Sequence, residues 1–182
     1  MLKFKPVILN KEKGEYQNLE YIPQIMFLYK RWGRFLKDDF ALQEDSFYEY
    51  FMDLLEELSP YFWVILCGSE VAGFVYLENF VGNSENLYSA EVSTCFDKKF
   101  WGKFTYYAAL VFFDFCFANL GLKKIKALIY PENFRVLGLL KRAGFKKEGF
   151  LKSETMRFGR PQNIEVYSLF NNIYDRKGSK WK

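Results

Sequence analysis

A long apolar segment between two short strand-like runs constrains the fold of this chain more than any other feature. Residues 104–119 are hydrophobic almost all round, which is typical of a helix that is covered on several sides. The runs at 87–96 and 123–130 each have the length of one strand, and the second is expected to be mostly buried. A strand, a helix and a second strand imply a right-handed crossover, and therefore a parallel pair of strands inside a mixed sheet.

The rest of the chain adds strands and helices around this crossover. Apolar spacing predicts a helix at 22–37, which Gly33 weakens, and a Ser-x-x-Glu capping box predicts a helix from Ser46 to about Leu58. A further amphipathic helix is predicted at 133–143. Additional strands are predicted at 4–9, 61–67, 71–80, 145–156 and 163–170. The predicted fold class is α+β (mixed α/β), with a central mixed, twisted sheet of about six to seven strands and about four helices.

The residue types that are present exclude several kinds of active site. The chain has no histidine, which removes histidine bases, histidine metal ligands and the serine–histidine or cysteine–histidine nucleophiles. Its three cysteines, Cys67, Cys95 and Cys116, are widely spaced and form no metal-binding pattern. No metal is expected, and this cysteine usage favours a reducing compartment. Because neither a signal peptide nor a membrane-length apolar run is recognisable, we expect a cytoplasmic protein without a membrane partner.

The charge of the chain is only mildly basic. It carries 26 Lys and Arg against 22 Asp and Glu, a net charge of +4, with a pI of about 8.8. This excess suits an anionic ligand such as a nucleotide phosphate, but it is too small to indicate nucleic acid. The most basic stretch is the tail at 171–182, which is expected to be a solvated terminus rather than a binding arm.

A pattern in the C-terminal half is similar to a known family. Tyr130-Pro-Glu-Asn133 is followed by Arg142-Ala-Gly-Phe-Lys-Lys-Glu-Gly149, and eleven residues separate Asn133 from Gly144. Together with Phe117-Ala-Asn-Leu-Gly-Leu122, these residues resemble the ribosomal-protein and N-terminal acetyltransferase branch of the GNAT family of acetyl-CoA-dependent N-acetyltransferases. In the N-terminal third only the order of the helices resembles that family.

The resemblance implies a domain organisation and a reaction. It implies one GNAT-like acetyltransferase domain over 1–182, with acceptor-side helices in 1–60 and a cofactor-binding core in 61–170. The reaction would be direct transfer of an acetyl group from acetyl-CoA to a primary amine in a ternary complex. The acceptor would be a protein N-terminus, an amino sugar or another small amine, and Trp32 and Phe40 would line its site. Whether the chain forms a homodimer stays open.

The loop before the apolar helix is a candidate phosphate site. The start of a helix presents backbone N–H groups and the positive end of its dipole, and Lys98, Lys99 and Lys103 surround this start. An ordinary turn with solvated lysines explains the same residues. Phe104 departs from the family pattern, which has glycine or alanine where the backbone approaches the phosphate closely. The resemblance implies that the pyrophosphate of acetyl-CoA is held by Lys99, Gly102, Lys103, Phe104 and Thr105.

The strand at 87–96 carries further implied roles. By resemblance, Thr94, Cys95 and Phe96 offer main-chain bonds to the pantetheine arm, and one N–H polarises the thioester carbonyl. Glu91 is implied as the general base, with a pKa that aromatic neighbours raise toward neutrality. The alternative for Glu91 is an exposed or ion-paired strand carboxylate. Cys95 has no evident activating base and is expected to be a small buried hydrophobe.

Two positions in the last predicted helix complete the pattern. The resemblance implies that Asn133 meets the pantetheine or the acceptor, and its place after Pro-Glu also suits a helix N-cap. Seven residues later, where the family often has a tyrosine that acts as an acid, this chain has Leu140. Tyr167 and Tyr88 are the weaker substitutes for that acid.

Two other functions stay open on the sequence. Phe104, Leu140 and an aromatic content of 21 Phe, 13 Tyr and 4 Trp are compatible with a non-catalytic GNAT-like module that binds a protein partner. The basic tail and the pI suit a domain that binds RNA or DNA, which the small net charge makes the weakest of the three.

Overall fold

The structure is a computed structural model that describes residues 1–40, 46–83 and 86–171. Its elements follow in the order β1 (Leu2–Pro6), β2 (Ile8–Asn10), β3 (Glu15–Gln17), α1 (Ile22–Trp32), α2 (Phe47–Leu58), β4 (Phe62–Cys67), β5 (Glu70–Gly82), β6 (Leu87–Phe96), α3 (Lys103–Ala118), β7 (Lys124–Ile129), α4 (Phe134–Arg142), β8 (Lys146–Arg157) and β9 (Arg160–Phe170). Short 3-10 turns lie at Leu19–Tyr21, Gly33–Phe35 and Lys98–Phe100. The predicted basic tail at 171–182 lies, except for Asn171, outside the described residues.

The strands form one mixed sheet and one small hairpin. Seven strands have the order β1-β4-β5-β6-β7-β9-β8, and β2 pairs only with β3. β4 is antiparallel to β1 and β5, and β7 is antiparallel to β9. β6 and β7 are parallel, and α3 connects them. The predicted parallel pair with a helix between its strands is therefore confirmed, and so is the mixed fold class, with four α-helices in the described residues.

The N-terminal strand predicted at 4–9 is in fact two strands. β1 ends at Pro6, which has no N–H to donate to a ladder. Val7 follows, fully buried, and its N–H donates to the carbonyl of Phe62 at 2.8 Å. β2 then turns away to pair with β3. The sequence did not predict β3, because its three residues are all exposed and show no apolar alternation.

Local sequence signals set the ends of the first two α-helices. α1 ends at Trp32 with Gly33 as its C-cap, so the glycine interrupts the longer predicted helix and a 3-10 turn follows. α2 begins after Ser46, whose Oγ accepts hydrogen bonds from the N–H groups of Tyr48 at 3.2 Å and Glu49 at 3.5 Å. The start that the capping box predicted for α2 is confirmed.

β7 is buried on one face only, although the sequence was expected to give a mostly buried strand. Ile125 and Ala127 are buried, while Lys124 and Lys126 on the other face are partly exposed. The reason lies in the alternation Lys-Ile-Lys-Ala, because successive side chains of a strand point to opposite faces. This polar face of β7 carries the ion pairs that are described below.

The chain forms two compact units. The first comprises Met1–Glu78, Ser93–Trp101 and Met156–Arg160. The second comprises Asn79–Val92, Gly102–Thr155 and the described residues from Pro161 onward. The strands β5, β6, β8 and β9 therefore contribute residues to both units. The single functional domain expected over 1–182 stays a prediction.

Aromatic rings fill the core of the first unit. The ring of Tyr29 in α1 lies 5.4 Å from Phe51 of α2 and 6.0 Å from Phe74 of β5, measured between centroids. Phe62 of β4 stacks on Phe74 at 5.4 Å and on Tyr76 at 5.6 Å. Each such pair contributes about 0.5–1.5 kcal/mol beyond the apolar area that it buries. Here phenylalanine and tyrosine do the packing that leucine does in many other cores.

The second unit packs α3 and α4 around another aromatic contact. α3 buries Phe112 and Phe113, and the ring of Phe113 meets Phe145 edge-on at 5.1 Å. The hydroxyl of Tyr106 in α3 donates to the carbonyl of Arg142 at the end of α4, 3.2 Å away. The hydrogen bond joins the first turn of α3 to the end of α4, and the ring contact joins the middle of α3 to the residue before β8.

Gly73 lets β5 approach the backbone of β6 closely within the first unit. A Cβ at this position would lie 2.2 Å from the carbonyl oxygen of Cys95 and 3.0 Å from the Cα of Phe96. Side chains do not approach backbone atoms to 2.2 Å, so only glycine fits without moving a strand.

Gly73→Ala is expected to lower the free energy of unfolding by at least about 2 kcal/mol, because one strand must shift. Gly138→Ala is the matched control, since Gly138 lies inside α4 and no described atom lies within 4 Å of its would-be Cβ. The control should gain about 0.5–1 kcal/mol from the higher helix propensity of alanine. Urea unfolding of both variants measures the difference, and equal effects would contradict the close approach.

Candidate active site

The parallel pairing of β6 with β7 is short. Within the described residues it runs from Ser89–Lys124 to Glu91–Lys126 and includes three residues of each strand. β6 itself continues to Phe96, and β7 continues along β9. The predicted base Glu91 therefore stands at the end of the parallel ladder, where β6 becomes available for other partners.

Both carboxylate oxygens of Glu91 have partners in the second unit. Oε1 accepts a hydrogen bond from the Nζ of Lys126 at 2.8 Å, and Oε2 accepts one from the Nδ2 of Asn79 at 2.9 Å. The side chains of Glu91 and Lys126 are 17% and 23% exposed. The aromatic surroundings that were expected for Glu91 are replaced by a cation and an amide. The ion pair that the sequence left as an alternative is present.

A second ion pair of the same unit joins β7 to β8 across the intervening strand β9. Lys124 Nζ lies 2.5 Å from Glu148 Oε2, which also accepts a hydrogen bond from Ser168 Oγ at 2.7 Å. Burial acts to raise the pKa of Glu148, but the bonds from Lys124 and Ser168 outweigh it and hold this pKa below its ordinary value. The alternating lysines of β7 were the sequence signal for this polar face.

The start of α3 has the backbone shape that a phosphate site needs. Gly102 is the N-cap, with φ of 100°, a conformation that favours glycine. Apart from its chain neighbours, no described atom lies within 4 Å of where a Cβ of Gly102 would stand, so the space beside the helix start is open. Lys103 is exposed, and Phe104 and Thr105 are partly buried. The bulky ring of Phe104 thus follows a position where the backbone is open.

The loop before α3 holds Lys99 in the first unit. Asp97 accepts the N–H of Lys99 at 3.1 Å, which caps the 3-10 turn Lys98–Phe100. The Nζ of Lys99 forms an exposed ion pair with Glu70 at 2.9 Å. Lys99 must leave Glu70 if it is to contact a phosphate, and because the pair is exposed to solvent, little stability is lost when it opens.

The last residues of β6 are tied into the first unit by their side chains. Thr94 Oγ1 donates to the carbonyl of Phe74 at 2.8 Å, and Cys95 Sγ lies 3.9 Å from the carbonyl of Leu28. Burial raises the pKa of the Cys95 thiol to about 12, which keeps it protonated near neutral pH. The carbonyl of Phe96 accepts the indole N–H of Trp101 at 3.0 Å. Cys95 is therefore a buried apolar side chain, as expected.

The two predicted acceptor-site residues lie in different surroundings of the first unit. The ring of Trp32 lies 5.1 Å from that of Trp101, so it packs against the loop after β6. Phe40 is 61% exposed. Its neighbour Asp39 accepts the N–H groups of Phe158 and Gly159, both at 2.8 Å, and so holds the β8–β9 turn.

Asn133 stands at the N-cap of α4, as its position after Pro-Glu indicated. Its carbonyl accepts the N–H of Leu137 at 3.1 Å, while within the described chain its side chain makes no capping bond to the helix. The amide is partly exposed and can meet a ligand. Leu140, on the same helix, is buried and supplies no acid.

A set of hydrogen-bonded polar side chains in the first unit was not predicted from the sequence. The hydroxyls of Tyr29 and Tyr50 lie 3.1 Å apart, and Ser93 Oγ donates to Glu78 Oε1 at 3.0 Å. Ser93 is also a hydrogen-bond partner of Tyr76. The alternation of Phe74, Tyr76 and Glu78 along β5 was the available signal, because it places a tyrosine and a carboxylate on the face that carries the aromatic core.

Burial keeps the three tyrosines of this group protonated. It is the largest cause that raises the pKa of Tyr29, Tyr50 and Tyr76, and the negative charge of Glu78 raises each of them further. The hydroxyls therefore act as neutral donors and acceptors around a carboxylate.

The sequence profile of the acetyltransferase (GNAT) domain matches residues 21–146, more than half of the chain. The chain belongs to the GNAT acetyltransferase family. The acyl donor of this family is acetyl-CoA. The more specific ribosomal-protein and N-terminal branch stays a prediction.

Known relatives of this GNAT protein are N-acetyltransferases by name. It is 33% identical over 86 residues to the uncharacterized N-acetyltransferase p20 of Bacillus licheniformis, over 47% of this chain and 48% of that protein. The match thus spans about half the length of this curated relative. Spermidine N-acetyltransferase from Vibrio cholerae, in complex with CoA and spermine, has a TM-score of 0.71 at 21% identity, covering 95% of this chain and 97% of that one.

Two further solved structures share the fold. A mutant of the same Vibrio cholerae enzyme has a TM-score of 0.74 at 20% identity, covering 97% of this chain and 98% of that chain. A GNAT-family acetyltransferase from Bacillus anthracis has a TM-score of 0.57 at 17% identity, covering 67% and 74%. These likenesses show the fold of the GNAT family and no more.

The described part of the chain has neither a membrane-spanning helix nor a metal-binding cluster. None of its helices combines the length and the hydrophobicity that crossing a bilayer requires. No group of three Cys, Asp or Glu side chains in the same part of the chain is arranged to hold a metal ion.

The buried hydroxyl of Tyr29 predicts a loss of stability at alkaline pH. Because the folded state raises its pKa, Tyr29 stabilises the fold fully below its ordinary pKa of about 10, and this contribution is lost as the pH rises further. Between pH 8 and 11, Tyr29→Phe should show a shallower fall in unfolding free energy than the parent protein. The difference approaches about 1.4 kcal/mol per pH unit. Exposed Tyr48 supplies the control Tyr48→Phe, which should keep the parent slope; identical slopes for all three proteins would contradict the assignment.

Proposed function

We propose that this protein is an acetyl-CoA-dependent N-acetyltransferase that acts on a primary amine. The observation that carries the proposal is the short parallel ladder, which pairs only Ser89–Glu91 of β6 and lets the strand run on to Phe96. A strand edge that continues past its parallel partner can hold an extended, amide-rich ligand such as pantetheine by strand addition. Membership of the GNAT family supports the same donor.

The two ends of the donor would meet different parts of the chain. The main chain of Thr94, Cys95 and Phe96 would bind the pantetheine arm, and one of its N–H groups would polarise the thioester carbonyl. The pyrophosphate would lie at the start of α3, whose open N-cap is Gly102. Lys99, Lys103, Phe104 and Thr105 would frame it, and Asn133 would meet the pantetheine or the acceptor.

The reaction would be one displacement at the thioester carbon. The amine nitrogen forms the new C–N bond, the C–S bond breaks, and the thiolate of coenzyme A leaves with the electron pair. Glu91 would take the proton that the amine loses. Because Lys126 and Asn79 already bind both of its oxygens, this transfer would pass through a water molecule.

Several acceptors fit this chemistry. The Vibrio cholerae structures are named as spermidine N-acetyltransferases, which supports a small amine such as a polyamine. The Asn133-to-Gly149 pattern supports a protein N-terminus as the second candidate, and an amino sugar is the third. Three unpaired cysteines fit a reducing compartment, and we place the protein in the cytoplasm. A homodimer remains part of the proposal.

Donor binding and amine-dependent release of coenzyme A test the function together. Acetyl-CoA and coenzyme A, but not ATP, should raise the Tm in a saturable way. A hundredfold excess over the Kd adds about 2.7 kcal/mol of stability. Thiol release should then depend on one member of a panel of spermidine, glucosamine and an unblocked peptide. The absence of any shift at millimolar acetyl-CoA would instead favour the protein-binding module.

Two variants of one ion pair separate a base from a structural carboxylate. Glu91→Gln should lower kcat by about a hundredfold, because general-base catalysis is lost, while the Kd for acetyl-CoA stays the same. Lys126→Met breaks the same pair from the other side and should keep most of the activity. If the two variants lose kcat equally, Glu91 acts through the ion pair and not as the base.

A further inference from the structure

We infer that Glu78, Ser93 and three tyrosines form the binding site for the protonated acceptor amine. The site, which we call the tyrosine cluster, consists of Tyr29, Tyr50, Tyr76, Glu78 and Ser93. It rests on the proposed function, because an acetyltransferase must hold its amine before the proton leaves. The cluster is distinct from the Glu91 ion pair, and its members all belong to the first unit.

Two helices and two strands bring the cluster together. Tyr29 lies on α1, Tyr50 on α2, and Tyr76 and Glu78 on β5. Tyr76 and Glu78 are two residues apart on the strand and so share the face that α1 and α2 cover. Ser93 on β6 links them, because it is a partner of the Tyr76 hydroxyl and donates to Glu78 at 3.0 Å.

The cluster has a closed end and an open end. Tyr29 and Tyr76 are 1% and 3% exposed and form the closed end within the aromatic core. Tyr50, Glu78 and Ser93 are only partly buried and form the open end. An ammonium group at the open end would find a carboxylate oxygen, hydroxyl oxygens and ring faces, which together match its three donors and its charge.

The charge of the cluster selects a cation. Its three phenols stay neutral, so Glu78 contributes the only formal charge among its members. Asp38 and Glu57 add negative charge on the side of Tyr50 and contribute to the raised pKa of that residue. A neutral or anionic acceptor gains nothing from this arrangement, whereas a primary ammonium is attracted.

One ammonium group of the chain already lies at the rim of the cluster. The Nζ of Lys37 lies 5.9 Å from the ring centroid of Tyr50 and 5.5 Å from that of Phe47. The Nζ of Lys30, on α1, lies 5.7 Å from the ring centroid of Phe47 as well. These contacts show that the aromatic rim accommodates a primary ammonium, and they make Lys37 a competitor of the acceptor.

The cluster is also in the right place along β6. Ser93 directly precedes Thr94, Cys95 and Phe96, the residues proposed to hold the pantetheine arm, and belongs to the same unit. An amine that is bound through Ser93 and Glu78 is therefore held on the strand that would present the thioester.

Binding of a simple charged probe tests the cluster without requiring turnover. The probe is n-butylammonium chloride, titrated into the full chain saturated with coenzyme A and followed by NMR chemical shifts, with n-butanol as the neutral comparison. Glu78→Gln should weaken n-butylammonium by about tenfold and leave n-butanol unchanged. A general disturbance of the fold would weaken both. Glu12→Gln, an exposed carboxylate in the same unit, makes the same change in charge and should bind like the parent.

A second variant changes affinity in the opposite direction. Lys37→Met removes the competing ammonium while it keeps the apolar stem, so it should tighten n-butylammonium by about threefold. This result tests the cluster even if Glu78→Gln does not fold. Equal affinities for the parent, Glu78→Gln and Lys37→Met overturn the inference, as does a parent protein that binds n-butylammonium no better than n-butanol.

The same set of proteins distinguishes the two proposals. Glu78-dependent ammonium binding without acetyl transfer would contradict the proposed function and leave the amine site standing. Acetyl transfer with an amine KM that Glu78→Gln does not change would contradict the amine site and leave the proposed function standing.

Discussion

The Glu91–Lys126 ion pair lies at the last residue pair of the parallel ladder between β6 and β7. The proposed donor site begins where that ladder stops. Parallel strands that stayed paired to their ends would use their main-chain groups on each other. Here the pairing includes three residues of each strand, and β6 runs five residues further, to Phe96. The ladder is the part of β6 that pairs with β7, and the remainder is the part that is proposed to receive a ligand. The ion pair marks the boundary between them.

The aromatic core of the first unit packs directly beside the polar side chains of the tyrosine cluster. Tyr29, Phe62, Phe74 and Tyr76 form successive ring contacts, and Gly73 brings β5 against the backbone of β6. A tyrosine in such a core adds a hydroxyl to a packed ring. The core can therefore end in a polar group at the open side without losing its packing, and the carboxylate of Glu78 lies at that end.

Local and periodic features of the fold could be predicted from the sequence. The apolar segment that became α3 predicted the crossover, and Ser46 predicted the start of α2, because helix periodicity and capping act over a few residues. The β2–β3 hairpin was missed because three exposed residues carry no periodic signal. The sequence was expected to bury both faces of β7, but its alternating lysines leave one face partly exposed.

The partners of the candidate site residues could not be predicted, because they are distant in the chain. Lys126 lies 35 residues from Glu91, and Glu70 lies 29 residues from Lys99. The tyrosine cluster joins two helices and two strands, and only the folded chain brings its hydroxyls together. The family pattern indicated candidate site residues, which stay predictions, whereas the ion pairs of those residues depend on tertiary structure.

Amide hydrogen exchange along β6 measures whether the end of this strand holds the acyl donor. If the end of β6 receives the acyl donor, saturating acetyl-CoA should slow exchange of the amides of Thr94, Cys95 and Phe96 by at least about tenfold. Ser89 to Glu91, which already pair with β7, should change much less. Unchanged exchange at 94–96 in a protein saturated with acetyl-CoA would contradict the claim that this strand holds the donor.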